Sequence, residues 1–158
     1  MPKLFKIALL VFALIPMVTQ ARASHDGHIR PDTVNLKKTF LPLITYMERG
    51  LRYPSDARYN KVQGNVIIQF ELTADGTIAN TEFVNANEVK QLGNGLGDEA
   101  TKMLKKFKDK KKELPAGVYF LPVTYVFDTE NPPAAIAPTF INRPNCLYQL
   151  IISTAGFR

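Results

Sequence analysis

Between Gly64 and Leu72 the chain reads Gly-Asn-Val-Ile-Ile-Gln-Phe-Glu-Leu, and this alternation restricts the fold more than any other stretch. Val66, Ile68, Phe70 and Leu72 fall on one face of an extended strand, and Asn65, Gln69 and Glu71 fall on the other. That is the pattern of an antiparallel sheet covered on one side only. Ala74-Asp75-Gly76-Thr77 follows as a hairpin turn in which glycine supplies positive φ, and the chain returns through Ile78 to Val84. Ile78 and Phe83 have opposite parity in that return, so a bulge or register change is expected between them.

Helical spacing flanks the hairpin. Phe40, Ile44, Met47 and Leu51 share one face of a helix that starts at Thr39, carries Pro42 in its first turn and ends at Tyr53-Pro54. Ser55 to Tyr59 is a short turn or helical piece. Asp98 to Glu113 reads as a further helix, with Ala100, Met103, Leu104 and Phe107 as its apolar stripe and lysines toward its end, the charge order a helix dipole favours. Val118 to Phe127 is a last β-rich run. Pro122 within it cannot donate to a ladder, which implies an edge or a bulge. Helix, hairpin, helix and strand together predict an α+β fold, a small antiparallel sheet of about three strands packed against two helices, with an exposed edge.

The folded body is expected to occupy residues 38–128 of the 158. Ahead of it, Lys3 and Lys6 precede an apolar run of 12 residues, Ile7 to Val18, and Ala21-Arg22-Ala23 supplies the small residues a signal peptidase reads. Residues 1–23 are therefore expected to be a signal peptide cleaved before Ser24, or a short anchor if retained, and 24–37 a polar leader. Twelve helical residues cover roughly 18 Å of a hydrocarbon core about 30 Å thick, which favours cleavage. Residues 129–158 form a tail of uncertain structure that opens on Asn131-Pro132-Pro133 and ends in the apolar run Cys146 to Ile152.

Charge and side-chain chemistry narrow the function. The formal +6 falls to 17 basic against 14 acidic groups once residues 1–23 are set aside, and seven of the eleven residues from Lys102 to Lys112 are lysine. Such a run reads first as a solvated face, and an exported chain is not expected to meet nucleic acid. Glycines at 93, 95 and 97 precede a helix as in phosphate loops, but Asp98 and Glu99 occupy the position a phosphate would take. His25 and His28 stand at i, i+3 in the leader, and the body has no histidine, which excludes Ser-His-Asp and Cys-His chemistry there. Glu71, Asp75 and Glu82 sit on solvent faces or turns, so neither catalysis nor a metal or cofactor is expected. Cys146 is the single cysteine and has no intramolecular partner. What remains is the sheet edge, which can accept an extended peptide as an added strand.

Tyr53-Pro54-x-x-Ala57, Gly64-x-Val66 opening a strand, Asp75-Gly76 at the hairpin, Asp98-Glu99-Ala100 starting a helix after a glycine-rich stretch, and Pro122-Val123-x-Tyr125 in the last strand resemble, in this order and spacing, the C-terminal domain of TonB energy transducers. The glycine-rich form before Asp98 looks like the versions common in Bacteroidetes. The resemblance implies a periplasmic domain that binds the TonB box, a short extended segment of a TonB-dependent outer-membrane receptor. Carried onto this chain, the binding edge would be the backbone of Val118, Tyr119, Phe120, Leu121, Val123, Thr124, Tyr125, Val126 and Phe127. An anchored transducer would be driven by inner-membrane partners resembling ExbB and ExbD. A chain released by cleavage would instead be a peptide-binding adaptor that transduces no force. An exposed edge also permits a strand-exchanged homodimer. Leu147 to Ile152 is β-prone and could pair with the domain's own edge strand.

Overall fold

A computed structural model describes residues 33–93, 95–127 and 132–154. Its backbone runs through helices α1 (Thr33–Thr39), α2 (Leu41–Gly50) and α3 (Ser55–Tyr59), then strands β1 (Gly64–Leu72) and β2 (Ile78–Phe83). Helices α4 (Ala86–Leu92) and α5 (Leu96–Lys105) follow, then β3 (Gly117–Phe127), α6 (Pro138–Ile141) and β4 (Leu150–Thr154). The strands form one sheet in the order β2-β1-β3-β4. β1 pairs antiparallel with both β2 and β3, whereas β4 runs parallel to β3. The α+β class is as expected, with four strands in a mixed sheet instead of about three in an antiparallel one.

The alternating face of β1 builds the main core. Val66, Ile68, Phe70 and Leu72 are buried against Phe40, Leu43, Ile44 and Met47 from the first helices and Leu96, Ala100 and Leu104 from α5. Burying each large side chain of this set contributes about 1.5–3 kcal/mol relative to exposure. Phe40 and Tyr119 meet at 4.5 Å between ring centroids, and Phe70 lies 5.9 Å from the same tyrosine. The predicted irregularity in β2 is present: Gln69 pairs with Glu82 but Glu71 with Ala79, so two residues of β2 oppose Phe70, and Asn80 takes φ 45°.

Several boundaries differ from the sequence-based expectation. Helical structure begins at Thr33 rather than Thr39, with a break at Phe40 before α2, and Leu36 of α1 is buried in the core. The helix expected over Asp98 to Glu113 covers Leu96–Lys105 only. Asp109 is the reason: its carboxylate accepts the Lys111 N–H at 3.2 Å and the Leu114 N–H at 2.7 Å, and its own N–H donates to the Gly76 carbonyl at 2.8 Å. A side chain that captures nearby backbone donors competes with the helix ladder and here replaces it. Most of the lysine run therefore lies on a loop docked against the hairpin tip, where Lys108 bridges Thr77. Residues 86–92, unassigned from sequence, form α4, and the glycine-rich stretch is the joint between α4 and α5.

The second face of the sheet is also covered in part, contrary to the one-sided reading. Ile67 sits at a back-face position of β1 and is 8% exposed, enclosed with Ile136, Phe140 and Cys146 from the tail and with Phe120 of β3. Phe120 and Phe140 contact edge to face at 5.6 Å, and the Arg143 guanidinium lies 4.6 Å over the Phe140 ring.

Candidate functional site

β3 carries the expected binding edge. Its odd-numbered residues Tyr119, Leu121, Val123, Tyr125 and Phe127 are buried on the helix side. Along one side it pairs with β1 in unbroken register from Gly64 opposite Tyr125 to Leu72 opposite Gly117. Along the other side it pairs with the chain's own tail. Phe120 donates its N–H to the Asn145 carbonyl and accepts the Leu147 N–H on its own carbonyl, both at 2.9 Å, forming a parallel bridge with Cys146. The ladder resumes with Val123 opposite Leu150 and continues to Phe127 opposite Thr154. The edge that the sequence presents as exposed is closed over much of its length.

Pro122 sits at the interruption. Phe120 turns its backbone polar groups toward the tail, so residues of the same parity, Pro122, Thr124 and Val126, turn theirs the same way. A proline nitrogen has no hydrogen to donate there. The tail meets this by taking one more residue than β3 between the bridge at Phe120 and the pair at Val123, and after the Leu147 N–H has bonded to Phe120, Tyr148 and Gln149 leave the ladder. On the opposite side Pro122 pairs with Ile67, whose own N–H donates away from β3 to Asn85 Oδ1 at 2.9 Å. Proline is thus accommodated between two strands because neither requires its donor.

Side-chain amides fasten the tail to the sheet. Asn65 donates from Nδ2 to the Ala134 carbonyl at 2.7 Å and accepts the Thr124 hydroxyl at 2.8 Å, and Gln149 donates from Nε2 to Thr124 Oγ1 at 2.7 Å. Asn85 completes the network by donating to the Asn65 carbonyl at 2.9 Å. Thr124, 6% exposed, is satisfied by this chain of bonds. The alternation of β1 places Asn65 on its polar face, and the one sequence signal for its role is a poor strand former within a strong strand.

Most of the motif residues gather beside this network, at the Gly64–Tyr125 end of β3, whereas Asp75 and Gly76 lie beyond the Leu72–Gly117 pair at its opposite end. Tyr53 donates its hydroxyl to the Val62 carbonyl at 2.5 Å and stands edge-on to Tyr125 at 5.4 Å and to Phe127 at 6.4 Å. Pro54 precedes α3, which seats Ala57 in the core with no exposure. Gly64 lies against the tip of the Leu92 side chain, which would have to shift to admit a Cβ. Tyr125, fully buried, donates to the Leu96 carbonyl at 3.1 Å. Burial first, then the charge of Glu99 and the neighbouring Tyr53, push its phenol well above the ordinary tyrosine range. Asp98 and Glu99 occupy the first turn of α5, and Ala100 packs beneath it. Asp75 and Gly76 form the hairpin turn, where Thr73 and Thr77 bond to the Asp75 carboxylate and hold it below the usual carboxylate range. Tyr53, Gly64 and Tyr125 thereby support the C-terminal half of β3.

Among the described residues no group of three His, Cys, Asp or Glu side chains could hold a metal ion. No helix among them is long and apolar enough to cross a membrane. Residues 1–23, expected to be a signal peptide or short anchor, and His25 and His28 lie outside the described residues.

Comparison with curated proteins and with solved structures gives no match. The family model for the Gram-negative bacterial TonB protein C-terminal matches residues 49–127, from the last turn of α2 to the final residue of β3. That match spans half of the chain and contains every motif residue from Tyr53 to Tyr125, and the chain belongs to the TonB C-terminal family.

Proposed function

We propose that this protein binds an extended segment of an outer-membrane receptor, its TonB box, by strand addition at the outer edge of β3. The family is a non-enzymatic one of energy-coupled transport, and its domains interact with outer-membrane receptors. One observation carries the finer reading: Val123–Phe127 already accepts a parallel strand, β4, so the edge has the backbone geometry that strand addition needs. Main-chain hydrogen bonds would supply affinity, and the alternate side chains of the added strand would supply selection.

The site of action under this reading is the periplasm, reached through residues 1–23. If that segment is retained, ExbB- and ExbD-like proteins drive the domain; if it is removed, the protein is a released adaptor. N-terminal sequencing of the exported protein separates the two, since a start at Ser24 excludes the anchored transducer. The binding reading is tested by titrating isotope-labelled protein with a synthetic TonB-box peptide and following backbone amide shifts. Shifts concentrated at Val118–Phe127 are expected; shifts confined to β2, or none at millimolar peptide, refute it.

A further inference from the structure

The tail has two parts with unequal hold on the sheet. Its first part is seated deeply: Cys146 and Leu147 have no exposure, Ile136 and Phe140 cover Ile67, and Asn65 grips the Ala134 carbonyl. Its second part is the five residues of β4, in which Leu150 is buried and Ile152 packs partly on the main core, while Ile151 is 66% exposed. Between the two, Tyr148 and Gln149 make no ladder with β3, opposite the proline that has no donor to give them. The family match ends at Phe127, so β4 is a strand supplied from beyond the family's own unit to the edge of that unit.

We propose that β4 is a displaceable latch on the binding edge. Residues 150–154 swing away about Tyr148 and Gln149 while α6, Cys146 and Leu147 stay seated, and an incoming parallel segment takes their register on Val123–Phe127. This regulation rests on the strand-addition reading above. It also specifies the incoming segment: apolar side chains at two alternate positions, replacing Leu150 and Ile152 on the helix side, with a tolerant position between them where Ile151 faces outward. A ligand that needs the open edge has its apparent affinity reduced by the fraction of molecules that are open, so weakening β4 must tighten binding.

Ile152 is the residue to change. By the pattern seen at Phe120, Thr124 and Val126 bond to the residues flanking Ile151 and Ser153, which makes Ile152 the shared partner of both. Full-length wild type, Ile152→Pro and the control Ile151→Ala are titrated by fluorescence anisotropy with a labelled peptide of residues 147–154. Ile152→Pro is expected to bind this peptide at least about tenfold tighter than wild type, and Ile151→Ala like wild type. Equal binding by wild type and Ile152→Pro overturns the latch. Because the probe is the chain's own tail, a variant that binds it tightly but binds no TonB-box peptide upholds the latch and refutes the receptor reading. Native-state hydrogen exchange on the wild type makes the test independent of the variant's folding. The amides of Thr124, Val126, Ile152 and Thr154 should exchange at least about tenfold faster than those of Leu121, Val123 and Tyr125, which face β1. Uniform protection across both sets overturns the proposal.

Discussion

Gly76→Ala is a sharp test of how the hairpin and the lysine-rich loop are joined. Gly76 has φ 81°, and its Cβ position is crowded by the backbone of Asp109, whose carbonyl carbon lies at 3.1 Å. A left-handed alanine costs about 1–2 kcal/mol, offset by roughly 0.4–1 kcal/mol because alanine restricts the unfolded chain. The contact with Asp109 adds to that. The loop must move away, severing the Asp109 N–H bond to the Gly76 carbonyl and disturbing the carboxylate bonds to Lys111 and Leu114, at about 1 kcal/mol per bond lost. The expected destabilisation is about 2–3 kcal/mol. With a urea m-value of about 1–3 kcal/mol/M, the unfolding midpoint falls by roughly 1–2 M. Gly95→Ala is the matched control: φ is 74° there too, but nothing lies within 4 Å of the added methyl, so only the conformational cost of about 1 kcal/mol applies. Equal midpoints for the two variants would refute the claim that Asp109 locks the loop to the hairpin.

Three further outcomes are expected. Tyr125→Phe loses the bond to Leu96 and about 1 kcal/mol at neutral pH, measured by urea unfolding. The folded-state pKa of Tyr125 is raised above its ordinary 10.0, so its contribution is fully present below about pH 10 and lost as pH rises beyond it. The variant's stability should therefore fall less steeply between pH 10 and 11, and an equal slope counts against the assignment. Cys146 has no exposure and burial raises its thiol pKa, so Ellman's reagent at pH 8 should label the protein slowly until urea is added; rapid stoichiometric labelling of the native protein contradicts a seated tail. Asn65→Ala removes the link between Ala134 and Thr124, and about 1–2 kcal/mol of tail docking with it. Chymotrypsin should then cut faster at Tyr148, and an unchanged rate means the amide does not hold the tail.

The sheet was legible where side chains obey a short period and the turn has its own chemistry. β1, the Asp75-Gly76 hairpin and the bulge in β2 each follow from spacing within a few residues. The α+β class and the motif residues follow from the order of such elements. The end of α5 was not legible in the same way, because a lysine-rich helix and a lysine-rich loop have the same composition. The difference lies in Asp109 meeting Gly76, a contact across more than thirty positions of sequence. Ile67 carries a local sign: an isoleucine at a polar-face position signals that something covers that face. Leu147 to Ile152 announced a strand but not a partner, since β-propensity measures fit to a half-buried surface and says nothing of which edge receives it.

Pro122 narrows the candidate site beyond what the β-rich run allows. A strand that pairs along all of Val118 to Phe127 needs a donor from residue 122, and proline has none. Any occupant of the outer edge must therefore break its ladder there or lie wholly on one side of it. The tail breaks, bridging at Phe120 and pairing again from Val123. A short receptor segment has no length to spare for a gap. If the proposed strand addition holds, main-chain recognition of a short segment belongs at Val123–Phe127, the stretch backed by Tyr53 and anchored through Tyr125, and there it would compete directly with β4.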